Sequence, residues 1–157
     1  MSDDFVGYHY RYPDHYAVER EKIREFAGAV KNTDAPFHDD ASAAELGYDG
    51  LLAPLTFISV FGYLAQTSMF EAAGVVLADA KIVQVDQELK FLRPVHGGDR
   101  LYADVTVQSI RHAHGTDIIV LKTVFADGDG VAVQETYTTL AGRSEENGES
   151  GFSDGTA

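Results

Sequence analysis

One histidine lies close to several carboxylates in a short segment of this chain. His38 ends the run Asn-Thr-Asp-Ala-Pro-Phe-His, which starts at Asn32, and Asp39 and Asp40 follow it. Asp34 is the carboxylate that precedes the histidine, four residues earlier. A histidine and a carboxylate held side by side can exchange protons with a substrate as general acid and base. His38 and Asp34 are therefore the candidate catalytic residues.

The composition argues against several other kinds of chemistry. The chain has no cysteine, which excludes disulfides, thiolate catalysis and cysteine-based metal sites. His112 and His114 have a chelating spacing, but turn signals surround them and no third ligand is near, so we expect no metal site. The net charge of −13 disfavours nucleic acid as a partner, because its phosphates would be repelled.

The length and the two ends of the chain suggest one domain with a tail. A chain of 157 residues suffices for one domain with a substantial core. Met1-Ser-Asp-Asp lacks the basic region of a signal peptide, and the longest apolar stretch, 51–65, is shorter than the ~20 residues that span a bilayer. We therefore expect a cytoplasmic location and no membrane span. Residues 144–157 are acidic and poor in apolar side chains, which predicts a disordered tail after a folded domain at 1–143.

Two apolar patterns divide the folded domain. In the first half, the spacing predicts an amphipathic helix at 19–30, a short helix at 41–46 and an apolar helix at 55–73 with Thr56 as N-cap. In the second half, β-branched and aromatic residues between turn signals predict antiparallel strands at 81–91, 100–110, 117–125 and 131–142. Four long strands after one buried helix predict an α+β hotdog fold, in which the sheet wraps around the helix.

Three motifs resemble the MaoC-like hydratases and dehydratases, which are hotdog proteins. The family loop reads Gly-Asp-x-Asn-Pro-φ-His, where φ is apolar, and Thr33 stands here in place of its aspartate. Residues 51–57, Leu-Leu-Ala-Pro-Leu-Thr-Phe, stand where active members have Ile-Ala-His-Gly-Met at the start of the central helix. Residues 91–101 match the family's Phe-x-x-Pro-Val-x-x-Gly-Asp-x-Leu turn between two strands. The resemblance implies acid–base chemistry on 3-hydroxyacyl thioesters, with no cofactor or metal.

Longer runs narrow the resemblance to one kind of subunit. Residues 10–14, 18–24, 43–48, 82–87 and 134–140 are similar to the HadA-type subunits of mycobacterial and actinobacterial (3R)-hydroxyacyl-acyl-carrier-protein dehydratases. In that family the A subunit shapes the acyl channel, while a B-type partner supplies the catalytic Asp and His. The related C-type subunits resemble this sequence less closely.

The resemblance therefore implies a non-catalytic, substrate-channel subunit of a heterodimer. Such an enzyme dehydrates 3-hydroxyacyl chains carried on acyl carrier protein during fatty acid and mycolic acid elongation. Two alternatives stay open. One is a self-sufficient homodimeric (R)-specific enoyl-CoA hydratase that uses His38 and Asp34. The other is a non-catalytic acyl-binding hotdog protein.

Further residues are candidates for substrate or carrier contacts. Pro54 and Leu55 replace the His-Gly pair of active members, and the leucine side chain should hinder approach of a thioester carbonyl to the helix N-terminus. The resemblance and the apolar pattern together predict a substrate-binding set of Pro54, Leu55, Thr56, Ser59 and Gln84. The basic residues predicted to dock the acidic carrier protein are Lys90, Arg93 and Arg100.

Overall fold

Helices occupy the first half of the chain, as the apolar spacing predicts. In the computed structural model, which describes residues 2–77, 81–144 and 151–154, α1 spans Arg20–Ala29, α2 spans Asp40–Glu45 and α3 spans Ser59–Ala72. Short 3-10 turns lie at Asp3–Phe5, Ala35–Phe37 and Leu55–Ile58. Within the described ranges, no helix combines the length and apolar character needed to cross a membrane.

The long apolar helix begins later than predicted. Leu55–Ile58 form a 3-10 turn after Pro54, and α3 starts at Ser59 without a side-chain cap, so the prediction of Thr56 as N-cap is wrong. Pro54 has a fixed φ, and its carbonyl accepts a hydrogen bond of 2.8 Å from the Phe57 N–H, which begins the 3-10 turn. Gly74 follows the helix with φ +69°, a left-handed conformation that glycine adopts without strain.

The second half forms the predicted antiparallel sheet. The long strands are β4 (Ile82–Phe91), β5 (Arg100–Ala113), β6 (Thr116–Ala126) and β7 (Ala132–Arg143). Short strands missed by the sequence pattern are β1 (His9–Arg11), β2 (Tyr16–Ala17), β3 (Val75–Leu77) and β8 (Phe152–Asp154). The main sheet has the order β1-β5-β6-β7-β4, with β2 also beside β5. Strand β4 therefore lies at one edge of the sheet.

The sheet curves around α3, which confirms the hotdog arrangement. Phe61, Ala65 and Met69 of the helix are at most 1% exposed and belong to the same apolar cluster as Leu121 and Phe125 of the sheet. Burial of one such large side chain contributes about 1.5–3 kcal/mol. The core therefore fixes the position of α3 on the inner face of the sheet.

One face of α3 stays open, although its composition predicts burial on most sides. Tyr63 is 66% exposed and Leu64 is 42% exposed. On the opposite side, the rings of Tyr12 and Tyr16 lie 5.3 and 5.1 Å from the ring of Phe61. The N-terminal aromatic residues thus cover one flank of the helix and leave the other accessible.

Five residues of the predicted disordered tail, 144 and 151–154, are ordered. Strand β8 pairs with β3, and Phe152 is 2% exposed with its ring 5.9 Å from that of Phe70. A Cβ at Gly142 would lie 2.5 Å from the Phe152 ring, so only glycine leaves room for it. The prediction is wrong for residues 151–154, because burial of one aromatic side chain offsets the cost of ordering a short segment. Residues 145–150 and 155–157 of that tail lie outside the described residues.

Candidate functional site

The segment that contains His38 is a tight turn held by its own backbone. Asn32 Oδ1 accepts a hydrogen bond of 2.9 Å from the Asp34 backbone N–H. The 3-10 turn Ala35–Phe37 follows directly, with Asp34 at its start and His38 at its end. This geometry leaves Asp34 exposed to solvent, whereas the imidazole of His38 is half-buried.

The histidine ring is held by a backbone carbonyl. His38 Nε2 lies 2.8 Å from the carbonyl oxygen of Asn32. A carbonyl can only accept, so Nε2 is the nitrogen that donates in this hydrogen bond. Within residues 2–77, 81–144 and 151–154, no carboxylate lies within the 4.0 Å ion-pair distance of this ring. The candidate pair of Asp34 and His38 is therefore not assembled.

The two carboxylates that follow His38 have other partners. Asp39 Oδ2 accepts hydrogen bonds of 2.8 Å from both the backbone N–H and the hydroxyl of Ser42. Asp39 is therefore the N-cap of α2. These bonds, the backbone one above all, lower the pKa of Asp39. Asp40 accepts a bond of 2.9 Å from Arg20. Both carboxylates thus stabilise the start of α2 and take no part in a pair with His38.

Backbone hydrogen bonds bring the His38 loop and the turn between β4 and β5 to the segment that leads into α3. Leu52 N–H donates to the Pro36 carbonyl at 3.0 Å, and Ala53 N–H donates to the Val95 carbonyl at 2.8 Å. Gly50 permits this approach, because a Cβ there would lie 2.6 Å from the Gly97 oxygen. The three motifs recognised in the sequence therefore meet in space.

The start of the helical turn, however, is closed to a substrate. The region between residues 53–58 and 91–95 encloses a void of only about 10 Å³. Pro54 is buried there, and Gln134 Nε2 donates to the Leu55 carbonyl at 3.2 Å. Leu55 itself is 61% exposed, and Thr56 is also exposed. Among the described residues, the cavity beside Pro54 and Leu55 is therefore too small for an acyl thioester, and the substrate contacts of Pro54, Leu55 and Thr56 remain predictions.

Space for a ligand lies farther along α3, in what we term the helix groove. Three adjoining cavities of about 180, 350 and 630 Å³ follow the open flank of the helix towards β3. The first two share Tyr63 and Gln66 in their walls, and the last two share Thr67, Phe70 and Leu77. Since α3 has 14 residues, the groove beside it is roughly 20 Å long.

The smallest of these cavities, the polar pocket, contains two of the predicted residues. Ser59 of α3 and Gln84 of β4 both line it. Its remaining walls come from Ile58, Gly62, Tyr63, Gln66, Gln87 and Thr136. The predicted contacts of Ser59 and Gln84 with substrate are thus compatible with the geometry, and they remain predictions.

A β-bulge explains why the sequence pattern missed Gln87. Simple alternation puts Gln84 and Asp86 on the same face of β4. In the structure the register with β7 shifts between Gln84 and Asp86, which leaves Val85 as the extra residue. The shift moves Asp86 to the outer face and brings Gln87 to the inner face beside Gln84. Thr136 was missed because a threonine inside a strand looks like an ordinary sheet former.

The three basic residues predicted to dock a carrier protein do not form one cluster. Arg93 binds Asp99 through both guanidinium nitrogens, at 3.0 and 3.3 Å, and these bonds raise the pKa of Arg93. Lys90 lies on β4, 4.7 Å from the ring centroid of Tyr137, whereas Arg100 starts β5, with β6 and β7 between these strands. Lys90 and Arg100 are exposed at separate places and Arg93 is half-buried, and carrier docking by these residues remains a prediction.

His112 and His114, which have a chelating spacing in the sequence, have structural roles in the β5–β6 hairpin. His112 Nδ1 lies 2.7 Å from Asp117 Oδ1, and Nε2 lies 3.1 Å from Asp3 Oδ1. The bond to Asp117 is the main cause that raises the pKa of His112. His114 occupies the hairpin turn with φ +50°. No group of three or more histidine, aspartate or glutamate side chains suited to a metal ion occurs among the residues that the structure describes.

Comparisons with known proteins agree with this architecture. A family model for the FAS1-like dehydratase domain region matches residues 4–136. A UPF0336 protein of Mycobacterium tuberculosis is 63% identical over 157 residues, which cover 100% of this chain and 99% of that protein.

Two solved structures are similar in both sequence and fold. A chain of the C-terminally truncated HadBC complex of Mycobacterium tuberculosis, a (3R)-hydroxyacyl-ACP dehydratase, has 42% identity and a TM-score of 0.81, covering 90% of this chain and 100% of that one. A MaoC-like dehydratase has 36% identity and a TM-score of 0.82, covering 91% of this chain but 43% of the longer protein. Both similarities place the described fold among hotdog dehydratases.

Proposed function

This chain belongs to the family of FAS1-like dehydratase domains, and we propose that it is the non-catalytic, substrate-channel subunit of a heterodimeric (3R)-hydroxyacyl-acyl-carrier-protein dehydratase. One observation carries the proposal. The candidate acid–base pair is not assembled, since Asp34 is exposed and His38 is bonded to the Asn32 carbonyl instead. The chain nevertheless keeps a groove long enough for an acyl chain beside its central helix.

The reaction explains why a partner is required. Dehydration of a 3-hydroxyacyl thioester transfers the Cα proton to a base and a proton from an acid to the departing hydroxyl. The C–O bond breaks, a Cα–Cβ double bond forms, and one water leaves. An N–H donor must also stabilise the thioester oxygen as it gains negative charge. In this chain Pro54 and Leu55 close the start of the central helical turn, so both the proton transfers and this donor would come from the B-type subunit.

The helix groove supports the channel role of this subunit. Its middle cavity, of about 350 Å³, is lined mainly by apolar side chains, among them Phe70, Leu77, Ile82 and Leu140. Transfer of each methylene from water into such surroundings is favourable by about 0.8 kcal/mol. An acyl chain can therefore bind here through its length, while the partner subunit supplies the catalytic Asp and His.

The open edge of the sheet supports heterodimer formation. β4 ends the strand order, so one side of its backbone has no neighbouring strand within the described part of the chain. On this strand Val83 and Val85 are 59% and 56% exposed, and Tyr63 of α3 is exposed nearby. An open edge with apolar residues favours pairing with a second sheet. The similar HadBC structure is itself a complex of two kinds of chain, which is the assembly proposed for this subunit with a catalytic B-type partner.

Coexpression and mutation test this assignment. We expect the purified chain to have no dehydratase or hydratase activity on acyl thioesters, and to gain activity with a B-type subunit that contains the intact Asp and His. His38→Ala should change kcat of the complex less than 2-fold or so, whereas loss of a working general base typically costs about 10²–10⁴-fold. His114→Ala, in an exposed hairpin, is the matched control.

Two outcomes would contradict the proposal. Activity of the isolated chain that His38→Ala and Asp34→Asn both abolish would identify a self-sufficient hydratase. Acyl binding without turnover, both alone and with the partner, would identify an acyl-binding protein instead.

A further inference from the structure

We infer that Thr136 is a buried hydrogen-bonding partner for a neutral oxygen group on the acyl ligand, and that the polar pocket fixes the position of this group along the helix groove. The identity of the ligand as an acyl thioester rests on the proposed function. The existence of a polar subsite rests on the side chains alone.

Thr136 stands out among the described residues, because its buried hydroxyl has no hydrogen-bond partner. It is 1% exposed, and its Oγ1 is the one buried side-chain oxygen or nitrogen in residues 2–77, 81–144 and 151–154 that bonds to no protein group. Buried polar atoms are nearly always hydrogen-bonded, because loss of solvation costs about 1–3 kcal/mol otherwise. An orphan hydroxyl beside a cavity therefore points to a partner that comes from outside the protein.

Its neighbours on the same face of β7 show that this position is exceptional. Gln134 Nε2 donates to the Leu55 carbonyl at 3.2 Å. Thr138 Oγ1 accepts from Gln66 Nε2 at 3.0 Å. The side chains of Gln134 and Thr138 are thus hydrogen-bonded to the 3-10 turn and to α3, which pack over this strand. Thr136 lies between these two residues and lines the polar pocket.

The walls of the polar pocket define the chemistry of the ligand group. The hydroxyl of Ser59 has no hydrogen-bond partner among the described residues, and Gln84 Nε2 reaches Gln87 Oε1 only at 3.5 Å. Hydroxyl and amide groups can both donate and accept. Among the residues that the structure describes, no charged side chain lines the pocket. A carboxylate or phosphate would therefore lack a counter-charge, whereas a hydroxyl or a carbonyl would find donors and acceptors.

The position of the pocket defines which part of a ligand it meets. The polar pocket of about 180 Å³ lies at the start of α3, and the apolar cavity that adjoins it continues past Phe70 towards Leu77. A ligand that fits both parts has an aliphatic chain with a neutral oxygen group towards one end. A 3-hydroxyacyl thioester carries two such groups, the thioester carbonyl and the 3-hydroxyl.

Thr136→Val tests the inference, because valine replaces the hydroxyl by a methyl group of the same shape. The full-length chain, wild type and variant, is titrated calorimetrically with a saturated long-chain acyl thioester and with its 3-hydroxyacyl counterpart of the same length. We expect the variant to bind roughly 3- to 10-fold more weakly, which corresponds to one neutral hydrogen bond. A loss for both ligands assigns the carbonyl to Thr136, and a loss for the 3-hydroxyacyl ligand alone assigns the hydroxyl.

Thr138→Val is the matched control on the same strand. Because the Thr138 hydroxyl is bonded to Gln66, this variant should lower the urea midpoint, whereas Thr136→Val should leave it unchanged or raise it. A lower midpoint for Thr136→Val would show that its hydroxyl has a partner within the protein or a tightly held water, and would overturn the inference.

Two binding results separate this inference from the proposed function. If the wild type binds both ligands and Thr136→Val binds them equally well, the groove is an acyl site but the subsite inference is wrong. If the wild type binds neither ligand, alone or with its B-type partner, the channel role fails and the subsite fails with it.

Discussion

Substitution of Gly62 by alanine should make the protein more stable, which is unusual for a change at a buried position. Gly62 lies inside α3, where glycine is about 1 kcal/mol less favourable than alanine. A Cβ built there would lie 3.5 Å from Phe125 Cζ, an ordinary van der Waals contact with no steric overlap. The helix gain should therefore persist in full, and the added methyl should fill space against the ring.

The expected size of this effect is measurable by thermal unfolding. A gain of about 1 kcal/mol raises Tm by roughly 2–4 °C for a domain of this length. Gly28→Ala in α1 is the control, because no atom lies within 4 Å of a Cβ there and the position is remote from the groove walls. Both variants should gain stability through helix propensity, and Gly62→Ala should add the contact with the Phe125 ring.

Acyl binding should then separate the two glycines. Gly62 forms part of the polar pocket, so the added methyl narrows it, and we expect several-fold weaker binding of an acyl thioester. Gly28→Ala should bind as the wild type does. A fall in Tm for Gly62→Ala would refute the steric reasoning, and unchanged affinity would refute the assignment of the pocket to the ligand.

Three further predictions follow from charged groups. His112→Gln should remove stabilisation at acidic pH, because the bond to Asp117 raises the pKa of His112 in the folded protein. The stabilisation by His112 is complete below its unfolded pKa of about 6.5 and disappears as pH rises through the raised pKa. The urea midpoints of variant and wild type should therefore converge at alkaline pH, and a difference that is constant with pH would contradict this prediction. Arg93→Leu leaves the Asp99 carboxylate, 11% exposed, without its two guanidinium bonds, and should cost roughly 1–3 kcal/mol in urea unfolding; an unchanged midpoint would show that solvent replaces these bonds. In the complex with the B-type partner, Lys90→Glu should raise KM for carrier-bound substrate several-fold at low salt and leave kcat unchanged. Arg100→Glu is the comparison, and a rise in KM that persists at high salt would exclude electrostatic docking.

The sequence predicted the elements of the fold well because their signals are local. The apolar spacing of α1 and the alternation of β5 arise within single segments, so neither needs knowledge of its neighbours. The short strands β1 and β2 carry no comparable signal, since they exist only because β5 offers them an edge. The order of Phe152 depends in the same way on a cavity over Gly142.

The features of the candidate site also divide into those that follow from local sequence and those that depend on distant residues. The replacement of the family aspartate by Thr33, and of its His-Gly pair by Pro54 and Leu55, could be read without a structure, because residue identity at a fixed spacing is a property of the chain. That Asp34 and His38 do not pair became visible in three dimensions, since Asp34 is exposed to solvent while His38 lies 2.8 Å from the Asn32 carbonyl oxygen. Tertiary structure also decided which polar residues share a pocket. A one-residue bulge reverses the side-chain alternation of β4 and so brings Gln87 into the pocket. Burial removes water from the Thr136 hydroxyl and leaves it without a hydrogen-bond partner among the described residues. Both effects depend on partners distant in sequence, which a local pattern does not contain.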